Sequence, residues 1–248
     1  SRVELYDPDT IDTLTRRLDH EQRYVLDIAV DYAKSLRKGL SMKNMFLKAP
    51  LLIVQGGAGC GKSALIEVLS QRLEMILRKA GDDPFHPYIL KCAFTGTAAC
   101  NIDGQTITSA FNLPFGNELK SLGDKVRANK RTVLQNLCFI IIDEISMVKS
   151  DMLYQIDFRL REIMQKDLAF GGVSVILAGD ILQLPPVMAN FIFENTRGIQ
   201  SETLYTINPL WERFQVRFLT HNHRQAEEKE YADLLNRVRC GEVSDNDM

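Results

Sequence analysis

The eight residues Gly56-Gly57-Ala58-Gly59-Cys60-Gly61-Lys62-Ser63 follow the apolar run LLIVQ and open into ALIEVLSQRLEMILRKAG. They match G-x-x-x-x-G-K-[ST], a pattern whose chance occurrence in a chain this long is on the order of one in a hundred. Such a loop works only between a buried strand and a helix, where backbone N–H groups can wrap an anion at the helix N-terminus. Both flanks have that character here. Gly57, Ala58, Gly59, Cys60, Gly61, Lys62, Ser63 and Ala64 are therefore expected to hold the phosphates of a nucleotide. Lys62 supplies charge to the outer phosphates and the Ser63 hydroxyl ligates magnesium. ATP and Mg2+ are the implied ligand and cofactor.

Around this loop, strands alternate with helices. Residues 18–39 carry apolar side chains at helical spacing and end in basic residues and Gly39. Strands are expected in LLIVQ, in YILKCAF (88–94), in CFIIID, in VSVILAG and in QVRFL. Helices are expected after the glycine loop, in DMLYQIDFRLREIMQ and in EEKEYADLLNRVRCG. This order predicts an α/β fold, a P-loop NTPase with a mostly parallel sheet and helices on both faces. Ligands of such sheets bind at the carboxyl ends of the strands, so the chemistry is expected just after LLIVQ, CFIIID and VSVILAG.

Two further strand ends fit that expectation. CFIIIDEISM presents Asp143 and Glu144; Asp143 can hold magnesium through water, and Glu144 can polarise an attacking water as general base. VSVILAGDILQLPPV delivers Asp180 and Gln183 to the same sheet edge. A neutral amide at Gln183 can contact a gamma phosphate and lose that contact on hydrolysis, and Pro185 and Pro186 stiffen the loop that transmits the change. The prolines are equally explained as strand terminators.

The segments GGAGCGKS, IIIDEISM, GDILQLPPV and FLTHNHRQ, in that order, resemble motifs of superfamily 1B helicases, most closely the petite-integration-frequency family of DNA helicases. The resemblance runs from about Leu18 to Gly241 and implies a RecA-like motor lobe. It implies that Gln22, in LDHEQR, reads adenine and that Arg224, in NHRQ, contacts the gamma phosphate, as suits a guanidinium. Lys62, Glu144, Gln183 and Arg224 are then the catalytic set, and Ser63 and Asp143 the magnesium ligands. TGTAACNIDGQTITSAFNLP resembles the family's DNA-contacting segments, which implies DNA contacts from Thr95, Gly96, Thr97, Thr106, Thr108 and Ser109. Phe111 or Phe115 is expected to stack a base. The family commonly has proline where Phe94 stands and a His-Ser pair where Thr108-Ser109 stands. The basic residues Lys120, Lys125, Arg127, Lys130 and Arg131 fit a solvated helical face as well as a DNA contact.

The implied activity is 5′–3′ DNA unwinding driven by ATP, on single-stranded and forked or structured DNA. No motif of a second motor lobe is found, so residues 1–248 are expected to form a single lobe, with a core over about 50–241. By itself such a lobe should bind nucleotide, and single-stranded DNA weakly, with little ATPase and no unwinding. A monomer is expected, joined to a second helicase lobe in a longer protein. A protein-remodelling P-loop ATPase and a non-catalytic nucleotide-binding module are the competing classes, and QLPP is unexplained by the first of these.

Composition adds boundaries. The 248 residues are 45% hydrophobic, enough for one large domain. A net charge of −2 does not favour nucleic acid, although a local groove matters more than the total. Cys60, Cys92, Cys100, Cys138 and Cys240 lie far apart without ligand spacing, which predicts reduced thiols rather than zinc or disulfides. Neither a membrane-length apolar run nor a signal-peptide pattern is found in the sequence. The expected location is intracellular: nucleus or mitochondrion in a eukaryote, cytoplasm in a bacterium.

Overall fold

Four consecutive apolar positions in β4 (Phe139–Asp143) show how the sheet is built. Phe139 and Ile141 face one hydrophobic cluster, Ile140 and Ile142 the other, and all four are fully buried. The same alternation sends Leu52 and Val54 of β1 (Leu51–Gly56) to one side and Ile53 to the other, and it divides β5 (Ser174–Gly179) likewise. A strand buried on both faces needs apolar residues at every position, which is why these runs are continuous. Each such side chain contributes about 1.5–3 kcal/mol by leaving water.

The computed structural model describes residues 3–39, 48–114, 119–183, 186, 189–194, 208–223, 234 and 237. Arg224, Phe115, Pro185, Cys240 and most of the helix expected in EEKEYADLLNRVRCG lie outside these residues. With β2 (Ile89–Ala93), β3 (Gln105–Thr106) and β6 (Gln215–Leu219), the described strands form one sheet in the order β3-β2-β4-β5-β1-β6. Every pairing is parallel. The expected α/β architecture is therefore present, with a sheet that is wholly parallel over the described strands.

One face is covered by α2 (His20–Arg37) and α3 (Lys62–Leu77), the other by α5 (Ile107–Phe111) and α7 (Ser150–Met164), with α6 (Asp124–Val133), which buries no residue, lying against α7. The short α4 (Gly96–Asn101) follows β2. Ahead of α2 stands α1 (Pro8–Arg17), which periodicity did not predict. The Asp7 carboxylate accepts a hydrogen bond from Thr10 N at 2.9 Å and Pro8 occupies the first turn, a start signal of the usual kind. Asp12 of this helix pairs with Arg72 of α3 at 2.7 Å.

In α6 the basic stretch is largely committed inside the protein. Lys130 Nζ donates to the carbonyl oxygens of Ser109 and Ala110, at 3.2 and 2.7 Å. The Arg131 guanidinium donates to Glu162 O at 2.9 Å, and Arg127 pairs with Asp124 and Glu162. These three cations tie α5, α6 and α7 together. The four cysteines among the described residues carry free thiols, and burial pushes Cys92 up to about 12 and Cys138 up to about 11. Among the described residues no helix is long and apolar enough to cross a membrane.

Candidate functional site

Because β5 lies between β1 and β4, the loops that follow these three strands emerge side by side. Two contacts fix their spacing. The Gln55 side chain, at the end of β1, donates from Nε2 to Asp180 Oδ1 at 2.7 Å and accepts from Ile181 N at 3.1 Å. Gly179, at the end of β5, lies so close to Ile145 that a Cβ there would stand 2.8 Å from Ile145 N. Only glycine permits that approach.

At the end of β1 the chain enters the glycine loop. Gly61 has φ +70 and is the N-cap of α3 without a side-chain cap, so the first-turn N–H groups of α3 are left for a ligand. Lys62 Nζ lies over the loop and donates to the carbonyl oxygens of Gly56 and Gly57, at 2.7 and 2.9 Å. Ser63 and Ala64 are exposed in that first turn.

Gln22 reaches this loop from α2 and is only 2% exposed. Its Oε1 accepts from Asp19 N at 3.0 Å, while the Asp19 carboxylate accepts from Gln22 N at 2.9 Å, a reciprocal capping box. Its Nε2 donates to the carbonyl oxygens of Cys60 and Gly61, at 3.3 and 3.2 Å. Gln22 is thus a clamp on the phosphate loop, a role its spacing in the sequence did not reveal.

The segment after β6 closes over the same loop. His223 N donates to Gly59 O at 2.9 Å, and the His223 ring pairs with Asp19 Oδ2 at 2.9 Å. Thr220 donates from its N and Oγ1 to the two oxygens of Glu21, at 2.6 and 2.7 Å. Burial raises the Asp19 carboxyl, but the hydrogen bonds from Gln22 N and His223 outweigh it and hold the group below its ordinary value. Asp19, Glu21 and His223 were missed by sequence reasoning. Only Asp19 carried a signal, the D-x-x-Q spacing of a capping box.

Asp143 ends β4 almost fully buried, and Glu144 follows with φ 57 and ψ 46, a left-handed backbone rare for such a residue. Burial is the main cause that raises the Asp143 carboxyl above its ordinary 3.8. The adjacent Glu144 charge adds to it, while a backbone hydrogen bond and Lys62 oppose it. Gln183 is exposed, at the close of a turn in which its N–H donates to Asp180 O at 3.0 Å.

The residues expected to meet DNA gather at the ends of β2 and β3. Thr95 Oγ1 accepts from Ala98 N at 3.2 Å and Thr106 Oγ1 from Ser109 N at 3.3 Å, capping α4 and α5. Gly96, Thr97 and Ser109 are exposed, and Thr108 is half-buried. Phe111 departs from the expectation. Its ring is 0% exposed within the core under α5, so it has no face to offer a base.

A family model described as PIF1-like helicase matches residues 17–248. The chain is 32% identical over 212 residues to the ATP-dependent DNA helicase PIF1 of Emericella nidulans, covering 82% of this chain and 26% of that protein. It is also 32% identical over 203 residues to the human ATP-dependent DNA helicase PIF1, covering 80% and 28%. Among solved structures, Bacteroides Pif1 bound to single-stranded DNA superposes with a TM-score of 0.67 at 27% identity, covering 93% of this chain and 48% of that one. Pif1 helicase from Candida albicans does so with a TM-score of 0.69 at 27% identity, covering 93% and 46%. The chain therefore spans about a quarter of those curated relatives and about half of those solved chains. With a family match over nearly all of its residues and a RecA-like parallel sheet shared with those structures, the chain belongs to the PIF1-like helicase family.

Proposed function

We propose that this chain is the first motor lobe of an ATP-dependent 5′–3′ DNA helicase, which translocates on single-stranded DNA and unwinds duplexes when joined to a second lobe. The observation that carries this reading is the convergence of the glycine loop, Asp143-Glu144 and Asp180–Gln183 at three adjacent strand ends.

The residues present fit a magnesium nucleotide. The N-terminus of α3 has no side-chain cap, and the left-handed Gly61 turns the chain into the helix there, which leaves the first-turn N–H groups for an anion. Asp143 and Glu144 place two acids side by side, opposed by Lys62, a charge balance that a divalent cation would relieve. Ser63 and Asp143 would hold magnesium, which when bound neutralises phosphate charge and holds the triphosphate in place. Lys62, leaving the Gly56 and Gly57 carbonyls, stabilises charge on the outer phosphates. Glu144 orients a water and accepts its proton. Gln183 senses the gamma phosphate, and Arg224 completes the charge stabilisation. Gln22 holds the loop in shape; its amide is buried and bonded to Asp19, Cys60 and Gly61, so a contact with adenine requires it to leave those carbonyls.

On the DNA side, the Thr95 and Thr106 hydroxyls accept their cap bonds and still have a proton to donate to a phosphate oxygen. Gly96, Thr97, Thr108 and Ser109 continue that track along the sugar-phosphate backbone of a single or forked strand. The lobe acts as a monomer within the longer protein, in whichever compartment holds its DNA.

The test is magnesium-ATP hydrolysis with and without single-stranded DNA, comparing this chain with a version extended through a second lobe, each with a Glu144→Gln control. DNA-stimulated turnover in the extended protein, abolished by Glu144→Gln, is expected. Turnover indifferent to DNA in both proteins would overturn the reading.

A further inference from the structure

The Gln55–Asp180 contact joins two residues 125 positions apart, both buried, at the ends of neighbouring strands. Gln55 immediately precedes the glycine loop. Asp180 begins the turn that ends at Gln183: its carbonyl accepts from Gln183 N at 3.0 Å and its Oδ1 accepts from Leu182 N at 3.2 Å. The Gln55 amide therefore grips this turn at two points, by donating to the Asp180 carboxylate and by accepting from Ile181 N. Strand pairing leads to the same place, since Gln55 lies opposite Gly179 in the β1–β5 register.

We propose that Gln55 is a positioning residue for Gln183, the link through which the phosphate loop and the gamma-phosphate sensor are held at a fixed distance. This rests on the nucleotide reading above. The geometry has the properties such a link needs. A side chain with one donor and one acceptor spans the strand ends, in a buried setting where an unmade hydrogen bond is costly. The amide is rooted in a strand buried on both faces, so it moves with the loop it precedes. The turn it holds is short and internally hydrogen-bonded, so a shift at Asp180 is carried to Gln183 two residues beyond Ile181. Gln183 itself is exposed and needs no other described contact to be placed.

The test is a double-mutant cycle read as the affinity for a non-hydrolysable magnesium-ATP analogue relative to magnesium-ADP, measured on this chain. Gln183→Ala is expected to lower that ratio by about tenfold, the contribution of one hydrogen bond to a charged group. Gln55→Leu is expected to lower it similarly while leaving ADP affinity unchanged, and to add nothing in the Gln183→Ala background. If Gln55→Leu does not fold, Gln55→Thr, which is polar but too short to span to Asp180, carries the same cycle. Additive losses, or a loss of ADP affinity equal to that of the analogue, would mean that Gln55 acts on the phosphate loop alone and would overturn the link. A Lys62→Ala control that still bound both nucleotides normally would instead overturn the nucleotide reading itself.

Discussion

Gln22 Nε2 lies 3.2 Å from the carbonyl oxygen of Gly61, and through this contact the first turn of α2 holds the rim of the phosphate loop. Gly61 has φ +70, and a Cβ on it would collide with the Gln22 amide. Gly61→Ala therefore combines a left-handed penalty of about 1–2 kcal/mol with displacement of Gln22. A loss of about 2 kcal/mol should lower the thermal midpoint by about 4–8 °C, together with a fall in nucleotide affinity. Gln22→Ala removes the capping partner and both loop contacts without adding strain. It should cost about 1 kcal/mol and weaken nucleotide binding in the same direction, as thermal unfolding and nucleotide titration would show.

Asp143 has a pH signature. Its carboxyl is raised in the folded protein, mainly by burial and next by Glu144. The folded state then binds a proton more tightly than the unfolded state does. Stability falls as pH rises from the ordinary carboxylate value of 3.8 through the raised folded value, and it stays lower above that window. Asp143→Asn removes the penalty. Without nucleotide or magnesium it should raise the thermal midpoint at neutral pH and leave it nearly unchanged below the window, while magnesium-dependent nucleotide binding is lost.

Thr97 and Phe111 separate surface from core on the DNA side. Phe111 is wholly buried, so Phe111→Ala should cost about 3–5 kcal/mol in denaturant unfolding, while Phe111→Leu preserves both the fold and DNA affinity. Thr97 is exposed in the first turn of α4, and Ser109 is exposed in α5. Thr97→Ala and Ser109→Ala should leave stability within about 0.5 kcal/mol and weaken single-stranded DNA binding at low salt. DNA affinity unaffected by either change would remove the hydroxyl track from the proposed function.

What could be read in the sequence was whatever short-range chemistry specifies. The glycine loop, the acids that end β4 and the uninterrupted apolar strands each declare themselves within about ten residues. The α1 helix was within reach as well, since Asp7 and Pro8 form a start signal, but its apolar stripe is thin and Ile11 is its one buried residue. The contacts that give the site its geometry are long-range. Gln55 meets Asp180, Asp19 meets His223, and Glu21 meets Thr220 across 125, 204 and 199 positions. No local pattern encodes such pairs. Phe111 was misread for a related reason: a five-residue helix is too short for its periodicity to say which side is inward.

The left-handed backbone of Glu144 makes a last prediction possible. A non-glycine residue at φ 57 is strained, so Glu144→Gly trades that strain against the greater freedom of glycine in the unfolded chain. Stability should stay within about 1 kcal/mol of the parent. Glu144→Gln keeps the side-chain shape and removes the charge. In a protein extended through a second lobe, both should lower DNA-stimulated ATP turnover by about 100-fold or more, the usual range for a lost general base. They differ in what they leave behind. Glu144→Gln leaves Lys62, Ser63, Asp143 and the glycine loop in place. Glu144→Gln should therefore still bind magnesium-ATP while failing to turn it over. Retained turnover in Glu144→Gly would show that the carboxylate only ends the strand, and the general-base role would have to pass to another group at this sheet edge.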